Sequence, residues 1–195
     1  YLVEPLNSPG GEKSDDPIAS VILFRDQLRA RGIELIVLPM PGKPSLYGEM
    51  LTTRLSGVEK VASPTRPLIA QLRRAGVEVV DLFELFGRHK SPSDHPLYLA
   101  RDTHWSAAAA ELAAAAVAAR LKQLGWAREG SKDYDVQELV VSRRSDIARM
   151  TRVPLIEASY PAEKVDARQV REKITGVIYR DDPAASVLVL GDSFL

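Results

Sequence analysis

Cysteine is absent from the sequence, which excludes thiol nucleophiles, cysteine zinc sites and disulfides but leaves the compartment open, because many periplasmic domains also lack it. Net charge is absent too: 26 Lys and Arg balance 26 Asp and Glu, so no global field steers the chain to nucleic acid or to an anionic membrane. No apolar run approaches the about 18 residues that a membrane span requires. The most aliphatic stretch, Ala107 to Leu124, carries Glu111, Arg120 and Lys122. Histidine is scarce, with three in 195 residues, so any acid–base chemistry at neutral pH has few places to reside.

The patterning that is present reads as α/β. Ile18 to Arg31 is an amphipathic helix stopped by Gly32, followed by a short apolar strand from Ile33 to Leu38 that Pro39, Pro41 and Gly42 break. The same order recurs as a helix from Pro67 to Ala75, Gly76, and "VEVVDL" from Val77 to Leu82. Continuous apolar strands alternating with helices are the habit of parallel sheets covered on both faces. A polar loop, "GRHKSPSDHP", leads to a long alanine helix, Ala107 to Leu124, with Ser106 as N-cap and Gly125 as stop. Beyond Trp126 the pattern gives a strand or extended segment and a short helix ended by Pro154, then edge-strand character from Glu163 to Arg180. A last buried strand is expected at Val187 to Leu190.

These elements predict a three-layer α/β/α sandwich with a mainly parallel sheet, formed by one domain over residues 18–195, after a flexible segment at 1–17. The chain opens at a tyrosine and stops two residues after Ser193. Both ends therefore read as those of a piece of a longer protein, with the C-terminal part of the fold missing.

Open α/β sheets place their ligand sites at the carboxyl ends of strands, where the last strand delivers Gly191, Asp192 and Ser193. A serine hydroxyl becomes a nucleophile when a base takes its proton and an acid holds that base in the right tautomer. His89 and His95 sit in the polar loop and read as solvated. His104, in "DTHWS", has Asp102 two residues before it, on the same side of an extended or turning backbone. Singly, Asp102 also suits a capping role and His104 a surface role; their joint occurrence with Ser193 favours a triad.

The ordered motifs "ARDTHWS", "SDIARM" and "LGDSF", with the strand and proline-rich loop "GIELIVLPMPGKPSLYGEML", resemble the alginate O-acetyltransferase-like branch of the SGNH (GDSL-type) hydrolase superfamily. The likeness runs from about Ile33 to Phe194. In that branch the acid–histidine motif precedes the serine motif, as if the domain were circularly permuted, and the order here is the same. The resemblance implies that Ser193 is the nucleophile, His104 the base and Asp102 the acid that orients it, with Asp192 shaping the turn. It also implies an O-acetyltransferase that carries an acetyl group through an acetyl-serine to hydroxyls of an alginate-like exopolysaccharide, with no metal and no cofactor. The expected location is the periplasm or outside the membrane, the donor being supplied by a membrane-bound acyltransferase.

Other readings stay open beside this one. Water in place of the sugar makes the same site a carbohydrate esterase, and an idle triad leaves a polysaccharide-binding or assembly module. Lys43 is a candidate for the cleft rim, although a solvated loop lysine is the simpler account. Tyr98 and Trp105 form either a sugar-stacking surface or the packing that fixes the His104 loop. Arg143, Arg144 and Arg149 in "SRRSDIAR" form a candidate basic patch for an anionic polymer, with a solvated face as the alternative.

Overall fold

A computed structural model of the chain describes residues 16–55, 62–90, 96–127 and 130–193, so the expected flexible segment 1–17 lies almost wholly outside the described residues. The chain divides into two compact units, Tyr1–Arg88 and His89–Leu195.

The first unit is the repeating helix–strand part. Helix α1 spans Pro17–Arg29, with Asp16 as N-cap accepting from the Ile18 N–H at 2.8 Å and proline at the first helical position. Strand β1 is Ile36–Val37, shorter than Ile33 to Leu38 because the following prolines donate no ladder hydrogen bonds. Helix α2, Lys43–Leu46, follows, then two 3₁₀ turns, Gly48–Met50 and Thr53–Leu55. Helix α3 is Thr65–Arg74 and strand β2 is Glu78–Val79. The strands pair in parallel, Ile36 opposite Glu78 and Val37 opposite Val79, which is the predicted crossover topology.

Ile69 and Leu72 from α3 bury against Val77, Val79 and Phe83, and Ile18, Val21 and Ile22 from α1 close the cluster. Arg25 donates from Nη1 to the Ala75 carbonyl at 2.5 Å, placing a cation at the carboxyl end of α3, where the helix dipole is negative. Helix α4, Leu82–His89, runs from the expected strand end at Leu82 through the unassigned Phe83–Phe86 into the start of the polar loop. Asp81 starts it by accepting from the Phe83 N–H at 2.9 Å, and Leu82, Phe83 and Phe86 turn a buried face inward. His89 is exposed at its end, whereas His95 lies outside the described residues.

The second unit begins with helix α5, Ala107–Leu124, which has the predicted bounds. Ser106 accepts from the Ala109 N–H at 3.3 Å, and Gly125 closes the helix at φ 67°. A Cβ at Gly125 would meet nothing within 4 Å, so only the left-handed backbone resists substitution there. Gly125→Ala is expected to cost about 1 kcal/mol, read as a lowered melting temperature with unchanged α5 helicity.

Beyond α5 come strand β3, Tyr134–Arg143, helices α6, Asp146–Met150, and α7, Pro154–Ser159, and strand β4, Glu163–Glu172. β3 and β4 form a ten-residue antiparallel ribbon, from Tyr134 opposite Glu172 to Arg143 opposite Glu163. α5 meets this ribbon where Arg168 Nε donates to Glu111 Oε1 at 2.7 Å.

The fold is thus α/β, with a parallel sheet in the first unit and, in the second, an antiparallel pair that falls where the sequence indicates a strand or extended segment and edge strands. One expected element is not formed. Residues 187–190 are in no strand, and they are exposed, Leu188 to 80%. β-branched residues favour extended backbone, but a strand exists only where a neighbour supplies the complementary N–H and C=O groups. Among the described residues, none pairs with this run. No described helix is long and apolar enough to cross a membrane.

Candidate active site

The Asp102–His104 loop directly precedes α5 in the chain. Tyr98 and Trp105 form an antiparallel bridge, with Leu99 N–H donating to the His104 carbonyl at 3.1 Å and Ser106 N–H to the Leu97 carbonyl at 2.9 Å. Residues 97–106 therefore make a tight reversal whose tip carries Arg101, Asp102 and Thr103. Asp102 folds back over this tip. Its Oδ1 accepts from the His104 backbone N–H at 3.0 Å and lies 2.5 Å from His104 Nδ1, the Asx-type turn that makes an acid two residues before a histidine useful.

Asp102 is 1% exposed, and a bare carboxylate at that depth is costly. Arg143, at the end of β3, offsets the cost by donating from Nε to Asp102 Oδ2 at 3.0 Å. Burial pushes the Asp102 carboxyl up, but the hydrogen bonds from the His104 backbone and ring, and then Arg143, outweigh it and bring the pKa down to about 2. Asp102 is ionised at neutral pH, as an acid orienting a histidine must be. Arg143, one of the three arginines of the candidate basic patch, is thus a partner of the acid while its side chain stays partly exposed.

The turn after β3 supplies two contacts that sequence reasoning missed. Ser145, the N-cap of α6, accepts from the Ala148 N–H at 3.1 Å and donates its hydroxyl to the Arg101 carbonyl. Asp146 accepts from the Thr103 N–H at 2.9 Å and from the Thr103 hydroxyl, and its Oδ2 stands 3.3 Å from His104 Nδ1. The local signal was "SD" at a helix start; that it reaches Thr103 across 43 positions is tertiary information.

Asp102, His104 and Asp146 bring ligand-type atoms within 4.8 Å of one another, a set of residue types able to hold a divalent cation. Their carboxylate oxygens are already taken by His104, Arg143 and Thr103, and the Arg143 guanidinium beside Asp102 repels a cation. The donor set fits a hydrogen-bonded acid–histidine pair better than a metal centre.

The other predicted residues are placed as follows. Ser193 lies in an exposed turn, and among the described residues no hydrogen bond joins it to His104. Tyr98 is 2% exposed and offers no open ring face, while Trp105 is half-buried; this favours packing around the His104 loop. Lys43 is the first residue of α2, in the other unit, and half-buried.

A buried carboxylate thus holds a histidine in an α/β chain, and a Gly-Asp-Ser motif follows in sequence. The sequence model of the family described as "SGNH hydrolase-like domain, acetyltransferase AlgX" matches residues 4–195, and the chain belongs to that family. It is 26% identical over 177 residues to the alginate biosynthesis protein AlgX of Pseudomonas aeruginosa, a match covering 87% of this chain and 37% of the relative. It is 29% identical over 120 residues to the probable alginate O-acetylase AlgJ of the same organism, covering 60% of this chain and 29% of the relative. The matched region is thus well under half the length of either relative.

Two solved structures share the fold. The O-acetyltransferase domain of Pseudomonas putida AlgJ has a TM-score of 0.67 and 24% identity, over 80% of this chain and 56% of its own. Pseudomonas aeruginosa AlgX has a TM-score of 0.63 and 24% identity, over 80% and 37%.

Proposed function

We propose that residues 18–195 belong to one O-acetyltransferase domain that moves an acetyl group through an acetyl-serine at Ser193 to hydroxyls of an alginate-like polysaccharide. The observation that carries the reading is the 2.5 Å contact between His104 Nδ1 and the buried, ionised Asp102. That contact supports a proton on Nδ1 and proton transfer at Nε2. Family membership supports the reaction type, and the relatives named for alginate support the polymer.

The steps follow from this arrangement. His104 Nε2 takes the Ser193 proton as Oγ attacks the acetyl carbonyl, and the Ser193 backbone N–H is one donor to the oxyanion. His104 returns the proton to the departing donor oxygen, leaving the acetyl group on Ser193. A sugar hydroxyl then gives its proton to His104 and attacks the acetyl-serine, so that the ester forms on the sugar and the serine is restored. The donor is an acetyl group handed on by a membrane-bound acyltransferase, in the periplasm or outside the membrane.

A chromogenic acetyl ester, offered with and without an oligouronate acceptor, tests the reaction. Acceptor-dependent turnover with acetylated oligouronate as product is expected. Release to water unaffected by the acceptor would make the protein an esterase, and no turnover by the folded protein would leave a binding or assembly module.

A further inference from the structure

Three side chains from one short segment grip the reversal that carries the acid and the histidine, and the acetyl-transfer steps use none of them. Arg143 holds Asp102 Oδ2, Ser145 holds the Arg101 carbonyl, and Asp146 holds both the N–H and the hydroxyl of Thr103. Residues 101, 102 and 103 are thus each fixed by a different side chain of 143–146. Asp146 does more than brace the loop, because its Oδ2 is also 3.3 Å from His104 Nδ1, on which Asp102 Oδ1 closes to 2.5 Å.

Two carboxylates therefore face one ring nitrogen. We propose that Asp146 is a positioning residue: it locks Thr103, and with it the Asp102–His104 turn, and it stands as the second acceptor for the Nδ1 proton.

The charge balance gives this arrangement a use. Among the described residues, Asp102 on its own loop and Asp146 from α6 face the ring, and Arg143 from β3 pairs with the other oxygen of Asp102. Two carboxylates and one guanidinium leave one negative charge. The imidazolium that forms while His104 holds the serine proton makes the cluster neutral, so the group is complementary to the proton-transfer state. With Asp102 alone, Arg143 would already cancel the acid, and the cluster would gain a positive charge at that step.

The kinetic consequence rests on the acetyl-transfer reading; the proton on Nδ1 does not. The purified protein with ¹⁵N-labelled histidine, its Asp102→Asn and Asp146→Asn variants and the double variant are compared by NMR of the His104 Nδ1–H and by turnover of a chromogenic acetyl ester. The downfield Nδ1 proton is expected to persist at a shifted position in Asp102→Asn and to be lost in the double variant. Asp146→Asn, whose amide oxygen still accepts from Thr103, is expected to lower kcat about tenfold at unchanged KM, and its cost should be larger in the Asp102→Asn background.

Loss of the Nδ1 proton in Asp102→Asn to the same extent as in the double variant would overturn the proposal, as would an Asp146→Asn change confined to KM. Thr103→Val leaves both carboxylates in place and is the second probe should Asp146→Asn fail to fold: a few-fold loss in kcat supports the lock, and wild-type turnover contradicts it. Because the NMR signal needs no substrate, a wild-type protein that shows it without turnover would sink the acetyl-transfer reading and leave the positioning role standing.

Discussion

Glutamine or alanine in place of His104 is expected to lower acetyl-ester turnover by at least about 10³-fold, the scale of losing the base of a serine triad. The two substitutions separate chemistry from packing. His104→Ala removes the ring that lies against Asp102 Oδ1, leaving the acid with the backbone N–H of residue 104 and Arg143. A destabilisation of about 1–3 kcal/mol accompanies that loss. His104→Gln retains a donor near Asp102 but cannot serve as a base at neutral pH. It is expected to be as inactive as alanine and closer to wild type in melting temperature. Substantial turnover by a folded glutamine variant would remove His104 from the chemistry.

The second large effect concerns Asp102 and acid. Its carboxyl is at about 2 in the folded chain, below the ordinary aspartate value near 3.9. A depressed carboxyl contributes stability above its unfolded pKa and loses it as pH falls through the folded one. The contribution is on the order of 2 kcal/mol at neutral pH and fades between about pH 4 and pH 2. Urea unfolding of wild type and Asp102→Asn across that range is the measurement: wild type should be the more stable at pH 6, with the difference closing toward pH 2. A gap independent of pH would show that the carboxylate charge is not what stabilises the loop. The same substitution should reduce turnover by about 10⁴-fold if a neutral amide lets the ring adopt the wrong tautomer, and by less to the extent that Asp146 holds the Nδ1 proton.

What the sequence discloses and what it conceals divides along the range of the interactions. α5 has its predicted bounds because both of its ends are set locally, by Ser106 and by the left-handed Gly125. The pairing of Asp102 with His104 is equally local, two residues within one turn. α4 was hidden because "VEVVDLFELF" is mostly apolar, broken only by Glu78, Asp81 and Glu84, so strand and helix compete for it; the Asp81 cap marks the change.

Arg143 and Asp146 were illegible for a different reason. They reach Asp102 and Thr103 from 41 and 43 positions away, and an "RRSD" run carries no mark of its tertiary partner. Residues 187–190 fail in the opposite direction, because their propensity is plain in sequence but pairing is not a local property. The serine motif stands out in the sequence on family order, and the structure adds the hydrogen-bond geometry of the Asp102–His104 pair.

Acetyl-enzyme trapping bears most directly on the central claim. The protein is mixed briefly with an acetyl ester in the absence of acceptor, quenched in acid, and mapped by peptide mass spectrometry. One acetyl group on Ser193 is expected, absent from Ser193→Ala, strongly reduced in His104→Gln, and discharged on addition of an oligouronate. A folded wild-type protein that turns over the ester with no acetyl group at Ser193, or a Ser193→Ala variant that still forms the acetyl-enzyme, would contradict the account.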